Sequence, residues 1–254
     1  MPSDNPPPPA HPVRRRLPER LARFVVQAIM WLCYRIHARD AANVPGGGSA
    51  LLISNHVSYV DALLIGSCLN RDVRFVMIRA IYENRWLNWF FRIMRVIPIS
   101  MDESPKKILA SLREARAALD GGQLVGIFPE GKISTTGLPD DFKSGFEYIL
   151  RDSNHPIIPV YLGGAYGSIF SHFRTPPFKR MPTHFPYPVS VFFGTPMPAT
   201  ASAAEVREAV VALSRKFIDE ERAKGRPLPD HIREVDAFAS APSKPPRAPD
   251  GPGP

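Results

Sequence analysis

Short apolar runs alternate along the chain with longer segments in which apolar residues recur every three or four positions. The runs at residues 50–54, 73–78 and 124–128 have the length and composition of buried strands. Between them, residues 104–120 carry the stripe of an amphipathic helix, which Ser104-Pro105 opens. Strands that alternate with helices predict an α/β fold: a layered domain with a mostly parallel mixed sheet flanked by helices.

The same patterning places the remaining elements. It predicts further strands at 96–99, 156–161 and 189–193, and it leaves 163–188 irregular. Ser202 and Glu205 fit a capping box that starts a last helix. The other predicted helices cover about 18–37, the segment up to about residue 69, 85–95 and 145–151.

The chain of 254 residues is long enough for one domain with tails. We expect one domain of about 200 residues at 18–225, since such a length buries a full core. Residues 1–17 are rich in proline and arginine, and residues 226–254 are rich in proline. Both compositions predict disorder.

The first predicted helix has features of a segment that lies in a membrane surface. Five arginines, at positions 14, 15, 16, 20 and 23, precede or open an apolar run at 24–33 that is too short to cross a bilayer. Basic residues followed by large apolar ones are typical of an interfacial helix. A first helix that packs in the protein core and is preceded by solvent-exposed basic residues fits the pattern equally well.

The formal charge of +8 and the pI near 9.7 favour an anionic partner. No nucleic-acid recognition motif is present, so a membrane surface with anionic lipids is the expected partner and nucleic acid is not. The two cysteines, Cys33 and Cys68, form neither a metal spacing nor a disulfide framework. The sequence predicts no metal site and no bound cofactor. The absence of a disulfide framework also predicts that the protein resides in a reducing compartment.

Candidate chemistry begins at the end of the first predicted strand, with His56 and Asp61. An imidazole titrates near neutrality and can take a proton from a hydroxyl, and a carboxylate can fix its tautomer. The two side chains meet only if His56 lies in the turn and Asp61 in the first helical turn. The alternative is structural: Ser58 as the N-cap, with Asp61 at the positive end of the helix.

A second chemical stretch follows the strand at 124–128 and runs from Phe128 through Pro129, Glu130, Gly131 and Lys132 to Ser134. Proline and glycine favour a tight turn in which the backbone can approach a ligand. The ammonium of Lys132 offers a point charge for a phosphate. Taken alone, this stretch fits an ordinary solvated turn.

Together the two stretches resemble the glycerolipid (lysophospholipid) acyltransferases. The resemblance rests on Asn55-His56 with Asp61 and on Phe128-Pro129-Glu130-Gly131, and it covers roughly residues 20–220. The run from Phe128 to Gly137 is most similar to the acyltransferase part of bacterial 2-acylglycerophosphoethanolamine acyltransferases. Two positions depart from the usual pattern, since Ile133 and residues 100–102 stand where many members carry arginine.

The resemblance implies transfer of an acyl group from acyl-CoA or acyl-carrier protein to the hydroxyl of a lysophospholipid, of the 1-acylglycerol-3-phosphate or 2-acylglycerophosphoethanolamine type. It implies His56 as general base and Asp61 as its orienting acid. The implied substrate contacts are Arg79, Phe128, Pro129, Glu130, Gly131, Lys132 and Ser134. A peripheral protein on the cytoplasmic face of the inner membrane is expected.

Two other functions compete with this one. The altered arginine positions and the basic N-terminal region also fit a non-catalytic lipid-binding protein of the same fold. His56 and Asp61 would alternatively activate water in a thioesterase or lipid hydrolase.

Overall fold

A computed structural model of the chain describes residues 17–99, 104–137, 139–168, 170–171 and 185–225. The predicted disordered tails at 1–17 and 226–254 lie outside these residues, except for Leu17, which begins the first helix.

The described residues form helices and strands in alternation, as the apolar pattern predicts. The helices are α1 Leu17–Cys33, α2 Asp61–Ser67, α3 Arg79–Tyr82, α4 Asn88–Ile93, α5 Pro105–Asp120, α6 Gly145–Leu150 and α7 Ala203–Ala223. The strands are β1 Tyr34–Arg39, β2 Ala50–Ser54, β3 Val73–Ile78, β4 Ile97–Ile99, β5 Leu124–Ile127, β6 Ile157–Gly163 and β7 Tyr187–Phe193. A short 3-10 turn, Ala41–Asn43, follows β1.

The strands form one seven-stranded sheet in the order β1-β7-β6-β2-β5-β3-β4. Five neighbouring strands, from β6 to β4, are parallel, whereas β7 pairs antiparallel with β6 and parallel with β1. The mostly parallel mixed sheet predicted from the sequence is therefore confirmed.

Helices cover both faces of this sheet. On one face Met30 of α1 and Leu64 of α2 pack on Leu52 and Phe75. On the other face Leu112 of α5, Phe146 of α6 and Val206 of α7 pack in a second cluster with side chains of β2, β4, β5 and β6. Parallel strands that are buried on both faces read as continuous apolar runs, which is why their positions were visible in the sequence.

The first helix is shorter than predicted. We expected helix to about His37, but α1 ends at Cys33 and residues 34–39 form the edge strand β1, with Ile36 opposite Val189 of β7. The buried side chains of Tyr34 and Ile36 alternate with more exposed neighbours. This two-residue period is not recognisable in the sequence, because the apolar residues of β1 follow those of α1 without a break.

The aromatic helix was also predicted too long. The expected segment 85–95 contains only the six-residue helix α4, which begins at Asn88 and ends at Ile93. By contrast, the capping box is confirmed: the Ser202 hydroxyl accepts from the Glu205 N–H, and the Glu205 carboxylate accepts from the Ser202 N–H. Within the described ranges, no helix combines the length and the apolarity that crossing a bilayer requires.

The connections after β2 and β5 decide where a ligand can bind. These two strands are neighbours, with Leu51 opposite Val125. The chain after β2 enters α2 on one face of the sheet, whereas the chain after β5 enters α6 on the other face. Ligands of α/β sheets bind at the carboxyl ends of strands where the connections diverge in this way.

Candidate active site

Both predicted motifs lie at this divergence. The first begins at Asn55, which is completely buried and ties the end of β2 to β6. Its amide nitrogen donates to the Leu162 carbonyl (3.1 Å), and its side-chain oxygen accepts from the Leu162 N–H (2.8 Å). These two bonds fix the backbone immediately before His56.

His56 lies in the turn, and its Nδ1 is 2.9 Å from Oδ2 of Asp61, the first residue of α2. The two side chains therefore meet as predicted, with His56 in the turn and Asp61 in the first turn of the helix. The imidazole is 20% exposed, whereas the Asp61 carboxylate is fully buried. A carboxylate on Nδ1 leaves Nε2 as the proton-accepting nitrogen.

The Asp61 carboxylate also holds the turn itself. Its Oδ2 accepts from the N–H groups of Val57 (2.6 Å) and Ser58 (2.8 Å), and its Oδ1 accepts from the Ser58 hydroxyl. The structural alternative was wrong in one respect, because Val60 and not Ser58 occupies the N-cap position of α2. Asp61 thus both orients His56 and shapes the loop that carries it.

The second motif packs directly on the first. The ring of Phe128 stacks on the imidazole of His56 with centroids 4.1 Å apart and planes 15° apart. The His56 N–H donates to Oε1 of Glu130 (3.1 Å), and the Ser134 N–H donates to the His56 carbonyl (2.7 Å). The two loops therefore form one site.

Glu130 is buried beneath this site and only 3% exposed. Burial raises the pKa of its carboxyl to about 8, against the hydrogen bonds donated by the backbone of His56 and Asp140. A carboxyl with this pKa carries its proton over much of the neutral range. Glu130 supports the His56 backbone in this structure, and its contact with an acceptor headgroup stays a prediction.

Ser134 is also buried, and its hydroxyl accepts from the N–H groups of Thr136 (3.3 Å) and Gly137 (3.0 Å). It holds the turn after the second motif. Arg79 begins α3 at the carboxyl end of β3, as predicted, and its guanidinium lies 3.6 Å from the Glu83 carboxylate. It is not among the residues that line the cavity described below.

Two lysines flank Gly131, and the sequence analysis identified only one of them. Lys132 is 69% exposed and paired with Asp140 at 2.9 Å, which raises the pKa of its ammonium. Lys143 lies over Gly131, since a Cβ placed on that glycine would be 2.8 Å from Nζ of Lys143. Within the described part of the chain no carboxylate pairs with Lys143.

Lys143 reaches the site because the loop folds back on itself. Its N–H donates to the Pro129 carbonyl (3.1 Å), and Gly131 adopts φ +71°, where glycine is favoured. The residue is remote in sequence from the Phe128–Lys132 stretch and lies in a polar run with Asp140 and Asp141. No local pattern marks it.

An apolar cavity of about 770 Å³ opens beside His56. Its volume lies in the range typical of sites for small organic ligands. His56, Phe128, Pro129, Gly131, Lys132 and Lys143 all contribute to its wall. Imidazole, ammonium groups and apolar surface therefore meet in one space. In the described segments, no group of three or more His, Cys, Asp or Glu residues is arranged to hold a metal ion.

A histidine–aspartate pair therefore lies at the carboxyl edge of an α/β sheet, beside a large apolar cavity. The family model described as Acyltransferase matches residues 35–163, which is half of the chain. The chain therefore belongs to the glycerolipid acyltransferase family. The resemblance seen in the two motifs is confirmed.

Named relatives agree with this membership. The 1-acyl-sn-glycerol-3-phosphate acyltransferase of Bacillus subtilis is 24% identical over 140 residues, which are 55% of this chain and 68% of that protein. The chloroplastic 1-acyl-sn-glycerol-3-phosphate acyltransferase BAT2 of Brassica napus is 24% identical over 152 residues. That match covers 59% of this chain but only 44% of BAT2.

Comparison with solved structures shows the same fold. The crystal structure of the 1-acyl-sn-glycerophosphate acyltransferase PlsC from Thermotoga maritima gives a TM-score of 0.57 at 20% identity. The alignment covers 91% of this chain and 86% of that one. The layered α/β architecture is therefore shared.

Proposed function

We propose that this protein transfers a fatty acyl group from a thioester donor, acyl-CoA or acyl-carrier protein, to the free hydroxyl of 1-acylglycerol-3-phosphate. The observation that carries the proposal is the His56–Asp61 pair at the wall of an apolar cavity. The activity for which the relatives are named favours this acceptor. The 2-acylglycerophosphoethanolamine expected from the second motif is the alternative acceptor to test.

In the proposed reaction His56 is the general base. Its Nδ1–H donates to Asp61, so Nε2 takes the proton of the acceptor hydroxyl as the oxygen attacks the thioester carbonyl. The new C–O bond forms, the C–S bond breaks, and the imidazolium returns the proton to the leaving thiolate. Asp61 stabilises the imidazolium without itself being protonated.

Direct attack by the acceptor needs no acyl-enzyme intermediate. The side-chain hydroxyl nearest the pair, that of Ser58, donates to Asp61 and is completely buried. It is therefore occupied in orienting the acid, and among the described residues no side-chain hydroxyl is hydrogen-bonded to the His56 imidazole as in a serine nucleophile.

The test is to incubate the purified protein with acyl-CoA or acyl-carrier protein and a panel of lysophospholipids, and to identify the products by mass. Diacylglycerol phosphate is the expected product. Fatty acid released equally with and without an acceptor would instead assign a thioesterase. Vesicle binding without any acyl transfer would assign a lipid-binding protein.

Lys143 is expected to bind the acceptor phosphate more strongly than Lys132 does. The ammonium of Lys132 is already paired with Asp140, whereas that of Lys143 has no carboxylate partner in the described segments. A hydrogen bond to a charged group contributes about 1.5–3 kcal/mol. Lys143→Ala should therefore raise KM for 1-acylglycerol-3-phosphate about tenfold, and Lys132→Ala should raise it less.

Lys216→Ala, on the exposed side of α7, is the matched control for the loss of one positive charge. Steady-state kinetics with varied acceptor measure the effect. Equal KM values for Lys143→Ala and Lys216→Ala would place the phosphate elsewhere.

The protein should attach to a membrane through α1. The outward side of this helix is largely apolar, and its large exposed apolar side chains are Leu17, Leu21, Phe24, Val25, Ile29, Trp31 and Leu32. Its inward side includes Met30 in the core and Arg23, which pairs with Asp72 at 2.6 Å. An apolar face directed away from the core is typical of an interfacial helix. The exposed Trp86 and Trp89 near α4 fit the same role.

Phe24→Glu should weaken binding to vesicles that contain anionic lipid by about tenfold or more, because burying a phenylalanine contributes about 1.5–3 kcal/mol. Ala212→Glu, which adds the same charge to an exposed position of α7, is the control. Sedimentation with vesicles measures both. Unchanged binding of the Phe24 variant would exclude α1 as the contact.

A further inference from the structure

The cavity beside His56 draws its wall from both faces of the sheet. Ile127 and Phe128 are neighbours in sequence and both line it. Ile127 packs against the core cluster of α5 and α6, whereas Phe128 packs against the cluster of α1 and α2. The cavity therefore passes over the carboxyl edge of the sheet and continues on either side of β5.

We call these two continuations the α2-side arm and the α5-side arm. The lining residues of the α2-side arm belong to the first core cluster: Val26, Ala62, Leu63, Val73, Phe75 and Phe128. Those of the α5-side arm belong to the second cluster: Val76, Ile99, Ile108, Leu112, Ile127 and Phe146. His56, Pro129 and Gly131 lie where the arms join.

Both arms are lined mainly by apolar side chains, so both suit hydrocarbon. Arg23, Arg71 and Asp72 add charged groups to the cavity wall beside α1 and α2. Their divergence follows from the topology, because the connections after β2 and β5 leave the edge toward opposite faces. Acyl transfer between two lipids brings two chains to one base at the same time. Two apolar arms that meet at His56 match that requirement.

We propose that the arms bind different chains: the α2-side arm holds the ester chain of the lysophospholipid, and the α5-side arm holds the chain of the thioester donor. The assignment follows from the walls. Gln27 and Phe90, from α1 and α4, line the cavity, and α1 packs against α4. These helices border the outward apolar surface, so a membrane-resident chain enters the arm behind them. The inference rests on the proposed acyl transfer.

Two glycines allow each arm to be filled separately. Gly66 of α2 and Gly145 of α6 line the cavity, and a Cβ built on either meets no heavy atom within 4 Å. Leucine is also a better helix former than glycine, so neither substitution penalises its helix. Ile108→Trp, inside the α5-side arm, is a second variant for that arm.

Gly46→Leu is the matched control, since Gly46 also has open space around its Cβ but lies away from the cavity. The probes are 1-acylglycerol-3-phosphate below its micelle concentration and an S-alkyl thioether of CoA, which has no carbonyl to attack. Calorimetry measures the Kd of each probe alone and in the presence of the other. Thermal unfolding verifies the fold of every variant.

The wild-type protein should bind both probes at once. Gly66→Leu should raise the Kd of the lysophospholipid about tenfold, the loss of roughly two buried methylenes, and leave that of the thioether unchanged. Gly145→Leu and Ile108→Trp should raise the Kd of the thioether and leave that of the lysophospholipid unchanged. Gly46→Leu should change neither Kd. Competition between the probes, or the opposite assignment of the variants, would overturn the inference.

The binding results test the two arms independently of the assay for acyl transfer, which tests the proposed function. Independent binding of the two probes without any acyl transfer would contradict the function and leave the two arms in place. Acyl transfer by a protein whose probes exclude each other would support the function and reject the arms.

Discussion

His56→Ala is expected to lower kcat for acyl transfer by about 10²–10⁴-fold, the usual contribution of a positioned general base. The imidazole is held by Asp61 at 2.9 Å and by the stacked ring of Phe128, and the His56 backbone is fixed by its hydrogen bond to Glu130. Such a group is prepared for proton transfer at Nε2. Alanine removes the base but keeps the backbone N–H that donates to Glu130.

The fold should survive this change. The imidazole is partly exposed, so its loss leaves no large internal cavity. His37→Ala, on the edge strand β1, is the control for the removal of a histidine remote from the site. Steady-state kinetics and thermal unfolding of both variants measure the two effects. Near-normal turnover by a folded His56 variant would refute the mechanism.

The sequence predicted the centre of the fold better than its margins. Strand β2 was predicted at 50–54 and is found there, because a strand buried on both faces is apolar at every position. The edge strand β1 was missed because its alternation of Tyr34 and Ile36 merges with the stripe of α1. Short elements next to amphipathic helices carry too few residues to define a period.

The candidate site was predictable where it depends on local spacing. His56 and Asp61 are close in sequence, and one turn brings them together. The place of Glu130 beneath the His56 backbone and that of Lys143 over Gly131 depend on how a long loop folds back. Neither contact has a sequence period. The sequence therefore identified the His56–Asp61 pair and the second stretch, but not the support of the His56 backbone by Glu130 or the presence of Lys143 in the site.

Asp61→Asn should lower kcat by about 10²-fold or more and also destabilise the protein. The carboxylate accepts from the imidazole, from two backbone N–H groups and from the Ser58 hydroxyl, so every one of its contacts is with a donor. An asparagine brings one NH₂ group into this ring of donors. One buried donor is then left without an acceptor, which costs about 1–3 kcal/mol of unfolding free energy.

The substitution also gives His56 a wrong tautomer, and the contacts of Asp61 with Val57 and Ser58 add the loss of stability to that effect. Ser58→Ala separates the two effects, since it removes one donor from the carboxylate but leaves the contact with His56. It should lower stability by about 1 kcal/mol, the net contribution of one hydrogen bond, with much less loss of kcat than Asp61→Asn. Chemical denaturation and kinetics of both variants measure this. If the two variants lost kcat equally at equal stability, Asp61 would act only by shaping the turn and not by orienting the base.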